Sequence, residues 1–146
     1  MHSISISTQP VASSASPCLV ELLNNQVKAG FPSPAEDLGG ERIDLQDILM
    51  THPQATYFMR ASGFSMVELG ISDQDILVVN RAKRPRHKHI VVASVDGEFT
   101  VKRLWKRGAN LKLQAANPTY PDILPRDGQT VEVWGVVTNA IKAMQK

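Results

Sequence analysis

Residues 90–105 read Ile90-Val91-Val92-Ala93-Ser94-Val95-Asp96-Gly97-Glu98-Phe99-Thr100-Val101-Lys102-Arg103-Leu104-Trp105. Two runs rich in β-branched and aromatic residues flank the Asp96-Gly97 pair. An Asp-Gly pair in this setting is typical of a type I′ turn, because both central positions need a positive φ. The stretch therefore predicts a β-hairpin.

Further strands are predicted on both sides of this hairpin. Short apolar runs at residues 55–61, 76–79, 111–114 and 131–137 are of strand length and lie between turn-forming residues. Before them, a short helix or turn is predicted from Ile43, Leu45, Ile48 and Leu49. Because no long helix is predicted after residue 50, we expect a mostly β roll or barrel over residues 41–146.

The N-terminal part of the chain lacks this pattern of short apolar runs between turn-forming residues. Residues 1–17 contain six serines, two prolines and no charged residue, which predicts a flexible arm. Residues 18–28 are too short for a stable isolated helix. Pro32 and Pro34 then favour extended backbone, so a linker is expected here.

Length and composition exclude several classes of protein. The 146 residues fit one domain plus an arm, and 42% of them are apolar, close to the globular norm. No apolar run approaches the length of a membrane helix, and no secretory signal precedes residue 20. Cys18 is the single cysteine, so a disulfide scaffold is excluded and a reducing cytoplasm is expected. The four histidines lack partners at ligand spacing, so no metal site is predicted.

Charge is divided unevenly along the chain. Residues 1–80 carry three basic and nine acidic residues, whereas residues 81–146 carry thirteen basic and five acidic ones. Such a division is compatible with a nucleic-acid or acidic partner, or with attraction between the two halves of one fold. We favour attraction between the two halves of one fold as the explanation of most of this charge division.

One pair of residues could carry chemistry. Ser65 lies in a Gly-containing turn, and Lys102 lies in the later strand of the hairpin. A serine hydroxyl needs a base beside it, and lysine can be that base only when burial lowers its pKa from about 10.4. Strand alternation places Lys102 with Thr100 and Leu104, among uncharged neighbours. From spacing alone, a turn serine bonded to its own backbone and a solvated lysine remain the better interpretation.

Four motifs change this balance. They are Gly30-Phe31-Pro32-Ser33-Pro34-Ala35, Ser62-Gly63-Phe64-Ser65-Met66, residues 70–79 (GISDQDILVV) and residues 95–104 (VDGEFTVKRL). In order and spacing they closely resemble the UmuD family of LexA-like self-cleaving serine peptidases. The resemblance runs from about residue 28 to the C-terminus. It implies an arm over residues 1–29 that is removed by self-cleavage, an extended linker over 30–40 and a LexA-like peptidase domain over 41–146.

The resemblance also implies roles for individual residues. Ser65 would be the nucleophile, Lys102 the neutral general base, and the backbone N–H groups of Phe64 and Ser65 the oxyanion hole. Ala29-Gly30 would be the bond that is cut, and no metal or cofactor is needed.

The same resemblance implies partners. In this family a recombinase filament of the RecA type on single-stranded DNA stimulates cleavage. The shortened product forms a homodimer and joins a Y-family, UmuC-like translesion polymerase in the SOS response to DNA damage. No membrane partner is implied.

Two other functions remain open at this stage. The chain could be a non-enzymatic polymerase-binding module on the same fold, although a remnant would have no reason to keep Ser65, Lys102 and Ala29-Gly30 together. It could instead be a small nucleic-acid-binding β domain that uses the basic residues 81–89. The scarcity of aromatic residues near that stretch weighs against this second alternative, since single-strand binding usually uses stacking platforms.

Overall fold

The computed structural model describes residues 5–6, 17–24, 26–32, 39–126 and 128–145, with the backbone alone for the first two. These residues fall into two compact units. One comprises the described residues of Ser13–Thr51, and the other those of Met1–Ala12 and His52–Lys146. The arm predicted over residues 1–17 lies outside the described residues, apart from Ser5, Ile6 and Pro17.

The secondary structure is mostly β, which confirms the predicted fold class. The elements are β1 (Ser5–Ile6), β2 (Leu19–Leu23), β3 (Gly40–Asp44), α1 (Leu45–Leu49), β4 (Thr56–Arg60), β5 (Ile76–Asn80), β6 (Ile90–Val95), β7 (Glu98–Arg107), β8 (Asn110–Gln114) and β9 (Val131–Ile141). Two short 3-10 helices, Pro53–Ala55 and Val67–Leu69, lie between them. Within the described residues, no helix is long and apolar enough to cross a membrane.

The central hairpin has the predicted form. β6 and β7 pair antiparallel, and Val95 lies opposite Glu98 across the turn. Asp96 has a φ of 51° and Gly97 a φ of 84°, the positive values that an Asp-Gly turn accommodates. The local sequence is therefore sufficient to set the register of this hairpin.

The larger unit is built on one seven-stranded sheet in the order β1-β4-β5-β9-β6-β7-β8. All its strand pairs are antiparallel. Successive residues of β6 pack into two different apolar clusters. Val92 belongs to one cluster, and Val91 and Ala93 belong to the other. The central strands are therefore covered on both sides, and β7 runs between two buried layers.

The smaller unit contains a hairpin that the sequence did not predict. β2 and β3 pair antiparallel, with Val20 opposite Ile43. Asp44 then caps α1, because its Oδ1 accepts hydrogen bonds from the N–H groups of Gln46 and Cys18 at 3.0 and 3.1 Å. The predicted short helix is confirmed over Leu45–Leu49, whereas Ile43 lies in the strand before it.

Candidate active site

Lys102 is placed by the regular part of the sheet. It lies in β7 opposite Val91 of β6, and only 8% of its surface is exposed. Along its own strand, Thr100 and Leu104 point to the same side. As expected from strand alternation, the amine-bearing side chain is buried among uncharged neighbours.

The amine of Lys102 has three hydrogen-bonding partners. Its Nζ lies 3.0 Å from Ser65 Oγ, 3.0 Å from Thr100 Oγ1 and 3.1 Å from the carbonyl oxygen of Val101. Burial lowers the pKa of the Lys102 amine, because the charged form loses solvation by water. No carboxylate is among these partners, and the described residues give the charged form no compensating ion pair.

Ser65 lies in an irregular loop that is held by hydrogen bonds to residues distant in sequence. The N–H of Ala116 donates to the Ser65 carbonyl at 2.7 Å, and Asn117 Nδ2 donates to the Phe64 carbonyl at 2.9 Å. The N–H of Gly63 donates to Asp73 Oδ1 at 2.8 Å. These contacts hold the backbone on each side of the hydroxyl, so its position depends on two other segments of the chain, one at Asp73 and one at Ala116 and Asn117.

The side chain after Ser65 provides an apolar anchor. Met66 is 2% exposed and belongs to one of the two core clusters. It precedes the 3-10 helix Val67–Leu69, which ends at Gly70 with a φ of 86°. The loop is thus fixed at the core on one side and by hydrogen bonds on the other.

Two backbone donors beside the Ser65 hydroxyl are available. Within the part of the chain that the structure describes, the N–H groups of Phe64 and Ser65 donate no hydrogen bond. The Phe64 side chain is 55% exposed and takes no part in the contacts of Lys102. Unused N–H groups next to a hydroxyl are the donor type that stabilises a developing oxyanion.

Ala29 and Gly30 belong to the smaller unit, and both are exposed. Their neighbours Val27 and Phe31 are 97% and 90% exposed. A Cβ built on Gly30 would meet no described atom within 4 Å. The segment around this bond therefore presents free backbone and two free apolar side chains.

No group of three or more histidine, cysteine, aspartate or glutamate residues that could hold a metal ion occurs in the described ranges. The hydroxyl of Ser65, the amine of Lys102 and the backbone N–H groups of Phe64 and Ser65 are the groups at this site that could carry out chemistry. Ser65 and Lys102 were predicted from the sequence, whereas the supporting residues Asp73, Ala116 and Asn117 were not. Their contacts span ten to 53 positions, and no local pattern marks them.

Comparison with known proteins identifies the family of the chain. The Peptidase S24-like family matches residues 21–138. ImpA of Salmonella typhimurium is 42% identical over 121 residues, which cover 82% of this chain and 81% of that protein. MucA of Salmonella typhimurium is 43% identical over 117 residues, or 80% of each chain.

A repressor is also similar. The LexA repressor of Shewanella woodyi is 34% identical over 121 residues, covering 82% of this chain and 58% of that protein. The family match takes in the end of β2, all of β3 to β8 and most of β9, and with them both Ser65 and Lys102. The chain belongs to the Peptidase S24-like family, and the UmuD-like resemblance predicted from its motifs is confirmed.

Proposed function

We propose that this protein cuts its own chain between Ala29 and Gly30, with Ser65 as nucleophile and Lys102 as general base. The shortened product would run from Gly30 to Lys146. In this proposal residues 1–29 are the arm that is removed, residues 30–40 an extended linker and residues 41–146 the peptidase domain.

The observation that carries the proposal is the 3.0 Å distance between Ser65 Oγ and the Nζ of a buried lysine. A lysine at an exposed strand position keeps its proton at neutral pH and cannot serve as a base. Burial lowers the pKa of the Lys102 amine and so raises the fraction that is neutral. The pair therefore has the contact that general-base activation of a hydroxyl needs, and the lowered pKa favours the neutral amine that it also needs.

The first half of the reaction forms an ester. The lone pair of neutral Lys102 takes the Ser65 proton, while its two N–H groups donate to Thr100 Oγ1 and the Val101 carbonyl. Ser65 Oγ attacks the carbonyl carbon of Ala29, and the N–H groups of Phe64 and Ser65 donate to the oxyanion. The C–N bond then breaks, and protonated Lys102 gives its proton to the nitrogen of Gly30.

The second half releases the arm. Lys102, neutral again, takes a proton from water, whose oxygen attacks the Ala29–Ser65 ester. The ester bond breaks, Ser65 recovers its proton from Lys102, and residues 1–29 leave with a free carboxylate. No metal or cofactor is required, because the chain supplies nucleophile, base and oxyanion donors.

The scissile segment suits a substrate that must enter a narrow cleft. Ala29 and Gly30 are small and exposed, and glycine lets an extended backbone approach closely. Because the bond is part of the same chain, a modest catalyst is sufficient. A partner that favours the docked arrangement would then accelerate the reaction by shifting populations.

We also propose the partners that the family resemblance implies. A RecA-type recombinase filament on single-stranded DNA would favour the docked arrangement. The shortened product would form a homodimer and join a Y-family, UmuC-like translesion polymerase in the cytoplasm. Membership of a family with UmuD-like SOS mutagenesis proteins supports this part of the proposal.

Intact mass spectrometry of the purified protein tests the cleavage. We expect two fragments, residues 1–29 and 30–146, which form faster when recombinase filaments are added. Ser62→Ala is the matched control, since Ser62 lies in the same loop and should leave cleavage unchanged. An intact chain under all conditions would overturn the proposal and favour a non-enzymatic polymerase-binding module. An unchanged rate with filaments would overturn only the proposed stimulation.

A further inference from the structure

A basic surface surrounds Trp105 on the side of β7 that faces away from Lys102. Arg103, Trp105 and Arg107 alternate with Lys102 and Leu104 along the strand, so they point to the opposite side. On the neighbouring strand β8, Lys112 is paired directly with Trp105. We call Lys88, Arg103, Trp105, Arg107 and Lys112, together with His87, the Trp105 surface.

The indole of Trp105 is surrounded by cations. Arg107 Cζ lies 5.9 Å and Lys112 Nζ 5.0 Å from the ring centroid. The imidazole of His87 meets the same ring edge-on, with centroids 5.9 Å apart. This arrangement supplies the stacking platform that the sequence analysis judged to be missing near residues 81–89.

Residues 87–89, which bring His87 to Trp105, are hydrogen-bonded to β7 and do not form a solvated loop. The N–H of Lys88 donates to the Leu104 carbonyl at 2.7 Å, and the N–H of Leu104 donates to the His89 carbonyl at 2.8 Å. The N–H of Lys106 donates to His87 Nδ1 at 3.0 Å. These bonds hold Lys88 at a φ of 75°, an uncommon value for a residue with a side chain. The basic loop is therefore preorganised against the strand.

Positive charge at this surface is only lightly compensated. Lys112 pairs with Asp122 at 3.6 Å, and both side chains are partly exposed. No other ion pair to a residue of the Trp105 surface occurs in the described part of the chain. Partial desolvation, followed by the positive charges of Arg107, Lys88 and Arg103, lowers the pKa of His87. This direction agrees with the ring distances, which place Arg107 and His87 at the same indole.

We propose that the Trp105 surface binds single-stranded nucleic acid. Lys88, Arg103, Arg107 and Lys112 contact successive phosphates, and a base stacks on the Trp105 indole when the flexible Lys112 moves from the ring to a phosphate. Aromatic rings within a positively charged groove are the combination that single-strand binding uses. An acidic peptide would use the cations but would gain little from the indole, so the observations favour the nucleic acid.

This binding is independent of self-cleavage. Lys102 and its partner Ser65 lie on the other side of β7, so a strand on the Trp105 surface leaves the dyad free. The two proposals can therefore fail separately.

Fluorescence anisotropy with a labelled dT20 oligonucleotide tests this inference on the full-length chain. We expect micromolar binding at low salt. The slope of log K against log salt should be about −3, because four phosphate contacts contribute about −0.7 each for a single strand. Arg107→Gln combined with Lys112→Gln should weaken binding at least about tenfold and reduce the slope by about 1.4.

Two variants separate stacking from charge. Trp105→Ala should weaken binding about tenfold at an unchanged slope, and Trp105→Phe should restore most of the affinity, since a base can stack on either aromatic ring. Arg126→Gln, which neutralises an exposed arginine elsewhere in the same unit, is the matched control and should bind like the wild type. The glutamine pair should self-cleave at the wild-type rate.

Three results would overturn the inference. The first is no binding at low salt, and the second is an equal loss of affinity in Arg126→Gln. The third is equally tight binding of poly-glutamate with no effect of Trp105→Ala, which would assign the surface to an acidic polypeptide instead.

Discussion

The two halves of the candidate dyad are held in different ways. Lys102 lies in the middle of a ten-residue strand, and its surroundings follow from strand alternation and one tight turn. Ser65 lies in a loop without regular strand pairing. Its position depends on hydrogen bonds that Ala116 and Asn117 donate to the loop backbone. The sheet thus sets the burial of Lys102, the candidate base, whereas long-range hydrogen bonds set the position of Ser65, the candidate nucleophile. Apart from Lys102 and its partner Thr100, changes in the hairpin should therefore affect stability alone, whereas changes in the loop should also affect the cleavage rate.

The largest effect is expected from removal of either reacting group. Ser65→Ala and Lys102→Ala should each lower the self-cleavage rate by at least about 10³-fold, since neither group has a substitute. Lys102→Arg should be equally inactive, because a guanidinium keeps its proton in proteins. Cleavage is followed by intact mass, and circular dichroism checks the fold. Lys106→Ala, on the same strand, is the control. Substantial cleavage by Lys102→Ala would mean that another group is the base.

Removal of a support of the loop should have the next largest effect. Asn117→Ala deletes the donor to the Phe64 carbonyl and lets the Ser65 hydroxyl move. We expect the rate to fall about tenfold to a hundredfold, the effect of a misplacement of about 1 Å. The melting temperature should change little. Asn110→Ala, at the exposed start of β8, should cleave normally. A large loss of stability with an unchanged rate would contradict the distinction between loop and sheet.

A pair of glycine variants compares the two regions directly. Gly63 beside the nucleophile has a φ of 93°, and Gly97 in the hairpin turn has a φ of 84°. Alanine at either position should cost about 1–2 kcal/mol in the free energy of unfolding, because a Cβ disfavours this conformation. Only Gly63→Ala should also slow cleavage. Denaturant unfolding and single-turnover cleavage measure the two effects, and an equal slowing of both variants would show that the hairpin turn also positions Ser65.

The smallest effect is expected at the second partner of the amine. Thr100→Val removes a hydroxyl that accepts from Lys102 Nζ and that favours the charged amine. The pKa of Lys102 should fall, and the midpoint of the pH–rate profile should move down by about half a unit, the equivalent of one net hydrogen bond. Thr138→Val, which changes a threonine on β9, should leave the midpoint in place. A shift to higher pH would contradict the assigned role of the hydroxyl.

The fold could be predicted wherever the signal was local. The Asp96-Gly97 turn and the apolar runs of β5 to β9 were sufficient to predict the hairpin and these strands, because each signal consists of a few adjacent residues. The pairing of β2 with β3 was not predicted, since Leu19–Leu23 shows no strand alternation and its partner lies about twenty residues further along. Tertiary pairing, rather than propensity, makes this segment a strand.

The candidate site divides in the same way. Spacing alone favoured a structural role for Ser65 and Lys102, and the family motifs reversed that interpretation. The contact between Asn117 and Phe64 spans 53 positions and has no sequence signal. The same limit explains why the indole near the basic loop was missed: β7 brings Trp105 to His87 across eighteen positions.

The pH dependence of self-cleavage by the wild-type chain tests the central claim most directly, namely that a buried, neutral Lys102 activates Ser65. The base works only when deprotonated, so the rate should rise with pH and level off above the pKa of Lys102. Because burial lowers this pKa, the plateau should begin below the pH of about 10.4 at which an ordinary lysine titrates. A rate that is independent of pH, or that rises only above that value, would contradict the account.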